Sequence, residues 1–96
     1  FSPNFSPFRE QGALEAANVA YQRALQIKPA FPAALNDLGG VLAAQGEIEE
    51  AVNSYKKALK LAPHFIVARS NMLLTMHYSP VYSSQEIFIE SRRYEV

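Results

Sequence analysis

The chain has 96 residues, 49% of them apolar and 19% charged, a composition that suits one small domain with a thin core and is too apolar for intrinsic disorder. Nine Lys and Arg balance nine Asp and Glu, so no long-range field gathers nucleic acid or an anionic membrane, and neither is expected as a partner. The lack of cysteine excludes disulfides, zinc–thiolate sites and thiol catalysis and favours a reducing compartment, read as the cytoplasm, while no apolar run is long enough for a membrane span.

The N-terminal stretch FSPNFSPF carries Pro3 and Pro7. Proline inside a helix costs about 3 kcal/mol, so residues 1–11 are expected to be irregular. Their Phe1, Phe5 and Phe8 either cover the open edge of the next helix or are not native to the protein. From Gly12 a helix is expected, opened by a glycine turn and closed by Pro29, with Leu14, Ala17, Tyr21, Ala24, Leu25 and Ile27 at helical spacing on one face. A second helix follows over Pro32 to Gln45. Pro32 sits in its first turn, where no donor is lost, and Leu35, Leu38, Val41 and Leu42 form its apolar stripe. After the Gln45-Gly46 turn, a third helix with Ile48, Ala51, Val52, Tyr55, Ala58, Leu59 and Leu61 inward runs to Pro63.

These segments repeat. QGALEAANVAYQRALQIKPAF at 11–31 and QGEIEEAVNSYKKALKLAPHF at 45–65 share Gln, Gly, Glu, Ala, Tyr, Ala, Leu, Pro and Phe at an offset of 34 residues. Gly39, Ala51 and Ala58 are small enough for two backbones to approach closely, and Tyr55 fills the wider gap. Helices with such faces pack as antiparallel hairpins, and one hairpin cannot bury its face alone, so hairpins stack into a solenoid. Tyr21 and Tyr55 hold equivalent positions and are read as core.

A further helix is expected over Ile66 to Tyr78, with Val67, Met72, Leu73, Leu74 and Met76 as a broad apolar surface. Met72 and Met76 are either core or adaptable contact surface. There the offset breaks. Gly39 maps to Leu73, Gly46 to Pro80, Ala51 to Gln85 and Ala58 to Arg92, so a regular partner helix would clash or bury charge. Ser79-Pro80 stops the helix, and Ser83-Ser84-Gln85-Glu86 offers a capping box for a differently packed helix from Ser84 to about Tyr94, carrying Ile87, Phe88, Ile89 and Tyr94.

No catalytic constellation emerges. His64 and His77 lie at helix ends without a second metal ligand one turn on, so neither metal nor cofactor is expected. Glu47, Glu49 and Glu50 suit a helix N-terminus, and Lys56, Lys57 and Lys60 with Arg92 and Arg93 read as solvated faces.

Leu38-Gly39, Gln45-Gly46, Ala51, Tyr55, Ala58 and Pro63 resemble the tetratricopeptide repeat, complete in residues 32–65 and half present, as a second helix with Gly12, Ala17, Tyr21, Ala24 and Pro29, in residues 12–31. Leu35 stands where the family usually has tryptophan, and Leu42 where it prefers an aromatic. The resemblance implies an all-α fold of antiparallel helical hairpins stacked as a short solenoid, with residues 66–96 as the exit from the array. It also implies a concave face lined by the first helix of each pair, on which Ala33, Asn36, Asp37, Gly40, Ala43, Ser70, Asn71, Leu74 and His77 are placed as partner-binding residues.

Ser70 to Tyr94 is similar to the stretch joining repeats to the catalytic region in bacterial O-linked N-acetylglucosaminyltransferase and SPINDLY-like proteins. In those relatives, asparagines just before the Leu-Gly pair hold peptide backbone. Here that place holds Asp37 and Asn71. Two functions follow as expectations: a non-enzymatic module that binds a protein or peptide, or the non-catalytic substrate-binding arm of a glycosyltransferase whose catalytic domain lies beyond Val96. A start without methionine and a helical-looking end lead us to expect a fragment, with self-association through open solenoid ends.

Overall fold

The computed structural model describes residues 7–94, with side chains from 11 to 94. Five helices follow one another: α1 (Pro7–Ile27), α2 (Pro32–Ala44), α3 (Ile48–Leu61), α4 (Ile66–Tyr78) and α5 (Ser84–Arg93). No strand occurs among the described residues. Each helix packs on the next, and α2 also reaches α4.

The start of α1 corrects the sequence reading. Residues 7–11, expected to be irregular, are helical, and Gly12 is helix interior, not a turn. Pro7 is the first described residue of α1, and proline is tolerated in the first turn of a helix, where its missing amide takes nothing and its fixed φ helps. A lone glycine weakens a helix by only about 1 kcal/mol, too little to end one flanked by good formers. The expectations for residues 1–6 and for the Phe1, Phe5 and Phe8 side chains lie outside the described residues.

The later boundaries follow the sequence closely. Pro32 opens α2, and Gly46 takes a φ of +84° in the turn before α3, a left-handed conformation that costs glycine no steric penalty. Ala51 and Ala58 are fully buried and Tyr55 is 2% exposed, with Leu35, Leu38 and Leu42 facing them from α2. Gly39 decides how close the two helices come. A Cβ added there would lie 2.6 Å from Tyr55 Cε1, so the ring occupies the space that any other residue's side chain would need. A buried hydrogen bond 2.7 Å long, from Ser54 Oγ to the Leu35 carbonyl, fixes the register between α3 and α2. On α1 the equivalent Tyr21 is only half-buried, because no described first helix covers it as α2 covers Tyr55.

Met72 and Met76 settle as core, at 0% and 1% exposure, joined by Ala68 from the same face of α4. Ser83 then caps α5: its hydroxyl accepts from the Glu86 amide at 3.1 Å while the Glu86 carboxylate accepts from the Ser83 amide at 3.0 Å. The backbone of α5 approaches α4 alone. Ile87 is its buried anchor, Tyr82 and Tyr94 pack beside it, and Phe88 and Ile89 stay exposed. Polar contacts complete the attachment. Arg69 Nη2 donates to the Ser91 carbonyl at 2.6 Å, and Glu90 meets Lys56 of α3 at 3.4 Å and Arg93 at 2.9 Å.

Gly39→Ala is expected to lower stability by about 1–3 kcal/mol through overpacking against Tyr55. Gly12→Ala, where nothing lies within 4 Å of the added carbon, is expected to raise it by about 0.5–1 kcal/mol; urea unfolding of both variants measures the contrast. A pH dependence follows from the cap. The backbone hydrogen bond from Ser83 holds the Glu86 carboxyl below its ordinary 4.5. A depressed carboxylate contributes stability that is complete above its unfolded value and lost as pH falls through the folded one. The helicity of α5 should therefore decline below about pH 4.5, and Glu86→Gln, which keeps an acceptor but cannot titrate, should flatten that decline in circular dichroism.

Candidate functional site

The curvature of the stack selects a face. The backbones of α2 and α4 approach each other across the array, whereas those of α1 and α3 do not, so the first helices of successive hairpins come closer together than the second helices. The contact is polar at its centre. Asn71 Nδ2 of α4 donates to Asn36 Oδ1 of α2 at 3.2 Å, both side chains being half-buried. These residues are 35 positions apart, one more than the repeat. The repeat equivalent of Asn71 is Asp37, which points to solvent one residue beyond the pair.

Beneath the amides runs a supporting chain that the sequence reading did not assign. Thr75 Oγ1 donates to the Asn71 carbonyl at 2.7 Å. The Thr75 side chain also lies within reach of the Tyr55 phenol, where it favours the ionised form. Burial, the largest cause, pushes the Tyr55 phenol above its ordinary 10.0, and the Asp37 charge adds to the rise. Tyr55 therefore does two things at once. Its ring fills the gap over Gly39, and its hydroxyl lies under Gly40, where an added Cβ would stand 3.8 Å away in ordinary contact. The available signal was Thr75 itself, a polar residue one turn after Asn71 on the buried side of α4.

Around the amide pair, Ala33, Asp37 and Gly40 of α2 and Ser70, Leu74 and His77 of α4 are exposed, and Ala43 is half-buried. The structure thus brings Asn36 and Asn71 together at the centre and spreads the other sequence-derived candidates along the two helices. Among the described residues, no group of three or more His, Cys, Asp or Glu could hold a metal ion, and no helix is long and apolar enough to cross a membrane. What the face offers is amide donors and acceptors, one carboxylate, and the apolar Leu74, 54% exposed.

Comparison with protein families bears on this architecture. A family model described as TPR repeat matches residues 7–46, and one described as Tetratricopeptide repeat matches residues 32–65. The chain is a tetratricopeptide-repeat protein. No curated protein matches it. The second match coincides with the hairpin of α2 and α3, the complete repeat of this tetratricopeptide-repeat chain, and the first takes in α1 and α2.

Tyr55→Phe is expected to keep the ring packing and lose about 1 kcal/mol with the hydroxyl. A phenol raised on folding contributes stability that is present below its unfolded value near 10 and lost as pH climbs through the folded one. The variant should accordingly lose less stability than the parent between neutral and strongly alkaline pH in chemical denaturation, with the alkaline share of Tyr82 and Tyr94 remaining, since burial raises those phenols too.

Proposed function

We propose that this tetratricopeptide-repeat protein is a non-catalytic interaction scaffold that binds an extended polypeptide segment along the concave face of α2 and α4. The observation that carries the reading is the Asn36–Asn71 pair. Two amides hydrogen-bonded to each other at 3.2 Å across the groove keep a spare donor and acceptor each, the complement of a peptide backbone. Neutral amides recognise backbone irrespective of sequence, so selectivity falls to the flanking Asp37, Leu74 and His77. The face carries no Lys or Arg among the positions named, which disfavours capture of a free carboxylate terminus. Metal, cofactor, membrane and nucleic acid have no part in this reading, which is that of a cytoplasmic adaptor.

A second reading makes the module the substrate-recruiting arm of a protein glycosyltransferase. It is supported by the irregular exit from the array, where α5 leaves the packing of α3 on α2 within the stretch that resembles such a junction. Sequence encoding a glycosyltransferase domain after Val96 would be required, and its absence from the gene would end this reading without touching the first.

A peptide array probed with the parent chain and with Asn36→Ala/Asn71→Ala tests the groove. The double variant is expected to lose binding by about tenfold or more, the loss of one to two well-placed hydrogen bonds, with its helicity intact. Undiminished binding would move the partner site off this face.

A further inference from the structure

The convex side carries a second groove, independent of the concave site. It lies between α1 and α3, with Leu35 and Leu38 of α2 as its floor. Its middle is a cavity of about 420 Å³ walled by Leu25 on one side and Glu50, Ser54 and Lys57 on the other, room for two large apolar side chains. Towards the C-terminal end of α3 it continues past Leu61 and Pro29 beneath Lys57 and Lys60. Towards the N-terminal end it passes Glu15, Glu47 and Glu50. The groove therefore grades along α3 from acidic to apolar and cationic. Lys57 and Lys60 enter no ion pair among the described residues; the lysine that does is Lys56, on Glu90.

The complementary surface is α5. Phe88 is 59% and Ile89 48% exposed, an adjoining apolar pair on the side of α5 turned away from Ile87. Glu86, Ile89 and Arg93 follow at i, i+3 and i+7, one line along the helix: acid, apolar, base. Glu86 and Arg93 are seven residues apart, and so are Glu50 and Lys57 on α3, about 10 Å in each helix. Laid antiparallel to α3, α5 sets Glu86 against Lys57 and Arg93 against Glu50, with Ile89 and Phe88 over Leu25 and Leu35. Within one chain this cannot happen, because the backbone of α5 approaches only α4, and its one ion pair to α3 is to Lys56, not to the residues that line the groove.

We propose that the occupant of the α1–α3 groove is α5 of a second copy of this chain. The match of charge order and spacing is what selects a copy over a foreign helix. The contact joins two different surfaces, so each added copy leaves one groove and one α5 open, and association grows head to tail unless the rotation closes a ring. Opposed charges at the rim make it weaken as salt rises, and the apolar pair at its centre supplies most of the affinity.

Sedimentation of the 96-residue chain over a range of concentration and salt tests the proposal, with Phe88→Asp marking α5 and Lys57→Glu marking the groove. Both residues are exposed, so neither change removes core packing, and circular dichroism checks that helicity is kept. The parent is expected to gain mass with concentration and lose it with salt, and each variant to associate at least about tenfold more weakly. Mixing the two variants is the decisive arm. It restores one intact contact, the Lys57→Glu chain giving its α5 to the Phe88→Asp groove, and should give a dimer and nothing larger. A parent that stays monomeric up to about 1 mM, association of Phe88→Asp equal to the parent's, or a mixture without dimer would each overturn the proposal.

Discussion

The contact of the Tyr55 ring with the bare backbone at Gly39 is the constraint on which the rest of the molecule depends. A ring lying where a Cβ would stand brings α3 and α2 to their closest approach, and that closeness allows Ala51 and Ala58 to be buried without a void. It also fixes where the phenol ends. The hydroxyl reaches past Gly40 to Thr75, so the same side chain that joins two helices of one hairpin ties them to the first helix of the next. Packing within the repeat and curvature between repeats thus share one residue, and the concave face, with Asn36 and Asn71 in contact, is the outcome.

Where that contact is missing, the array changes character. Leu73 stands in the place of Gly39, and no ring can lie on α4 as Tyr55 lies on α2. α5 is held instead by the single buried Ile87, a reciprocal cap at Ser83 and Glu86, and the charged bridge from Glu90 to Lys56. Polar anchoring of this kind leaves apolar residues uncovered, because a helix attached along one edge buries one line of side chains and presents the next. Phe88 and Ile89 are that next line. At the other end, α1 offers Tyr21 half-covered for the complementary reason, as a second helix without a described first helix over it.

Most of the fold could be read from residue types and spacing. The 34-residue recurrence, the prolines at 29, 32 and 63 and the capping box at Ser83 located the helices from α2 onward, since each acts through local backbone chemistry that needs no neighbours. The reading failed at Pro7 and Gly12 for a local reason as well. It took Pro7 for a residue that interrupts a helix and Gly12 for the turn that opens one, whereas both lie within α1, Pro7 at its first described residue. Of the candidate site, the faces of α2 and α4 were legible from helical periodicity, but the pairing was not. Repeat arithmetic makes Asn71 the equivalent of Asp37, which says nothing of contact, and its amide meets Asn36.

Composition and periodicity by themselves determined that this chain is helical, repetitive, free of thiol chemistry and broken in register after Tyr78, because those properties reside in single residues and in spacings along one axis. Tertiary structure alone decided which helices touch across the stack, that Met72 and Met76 are core, that the Tyr55 hydroxyl lies under Gly40, and which apolar residues of α5 remain exposed. The physical reason is that a helical face fixes direction only to within a turn, about 100° per residue, while a hydrogen bond between helices is made or lost within less than 1 Å.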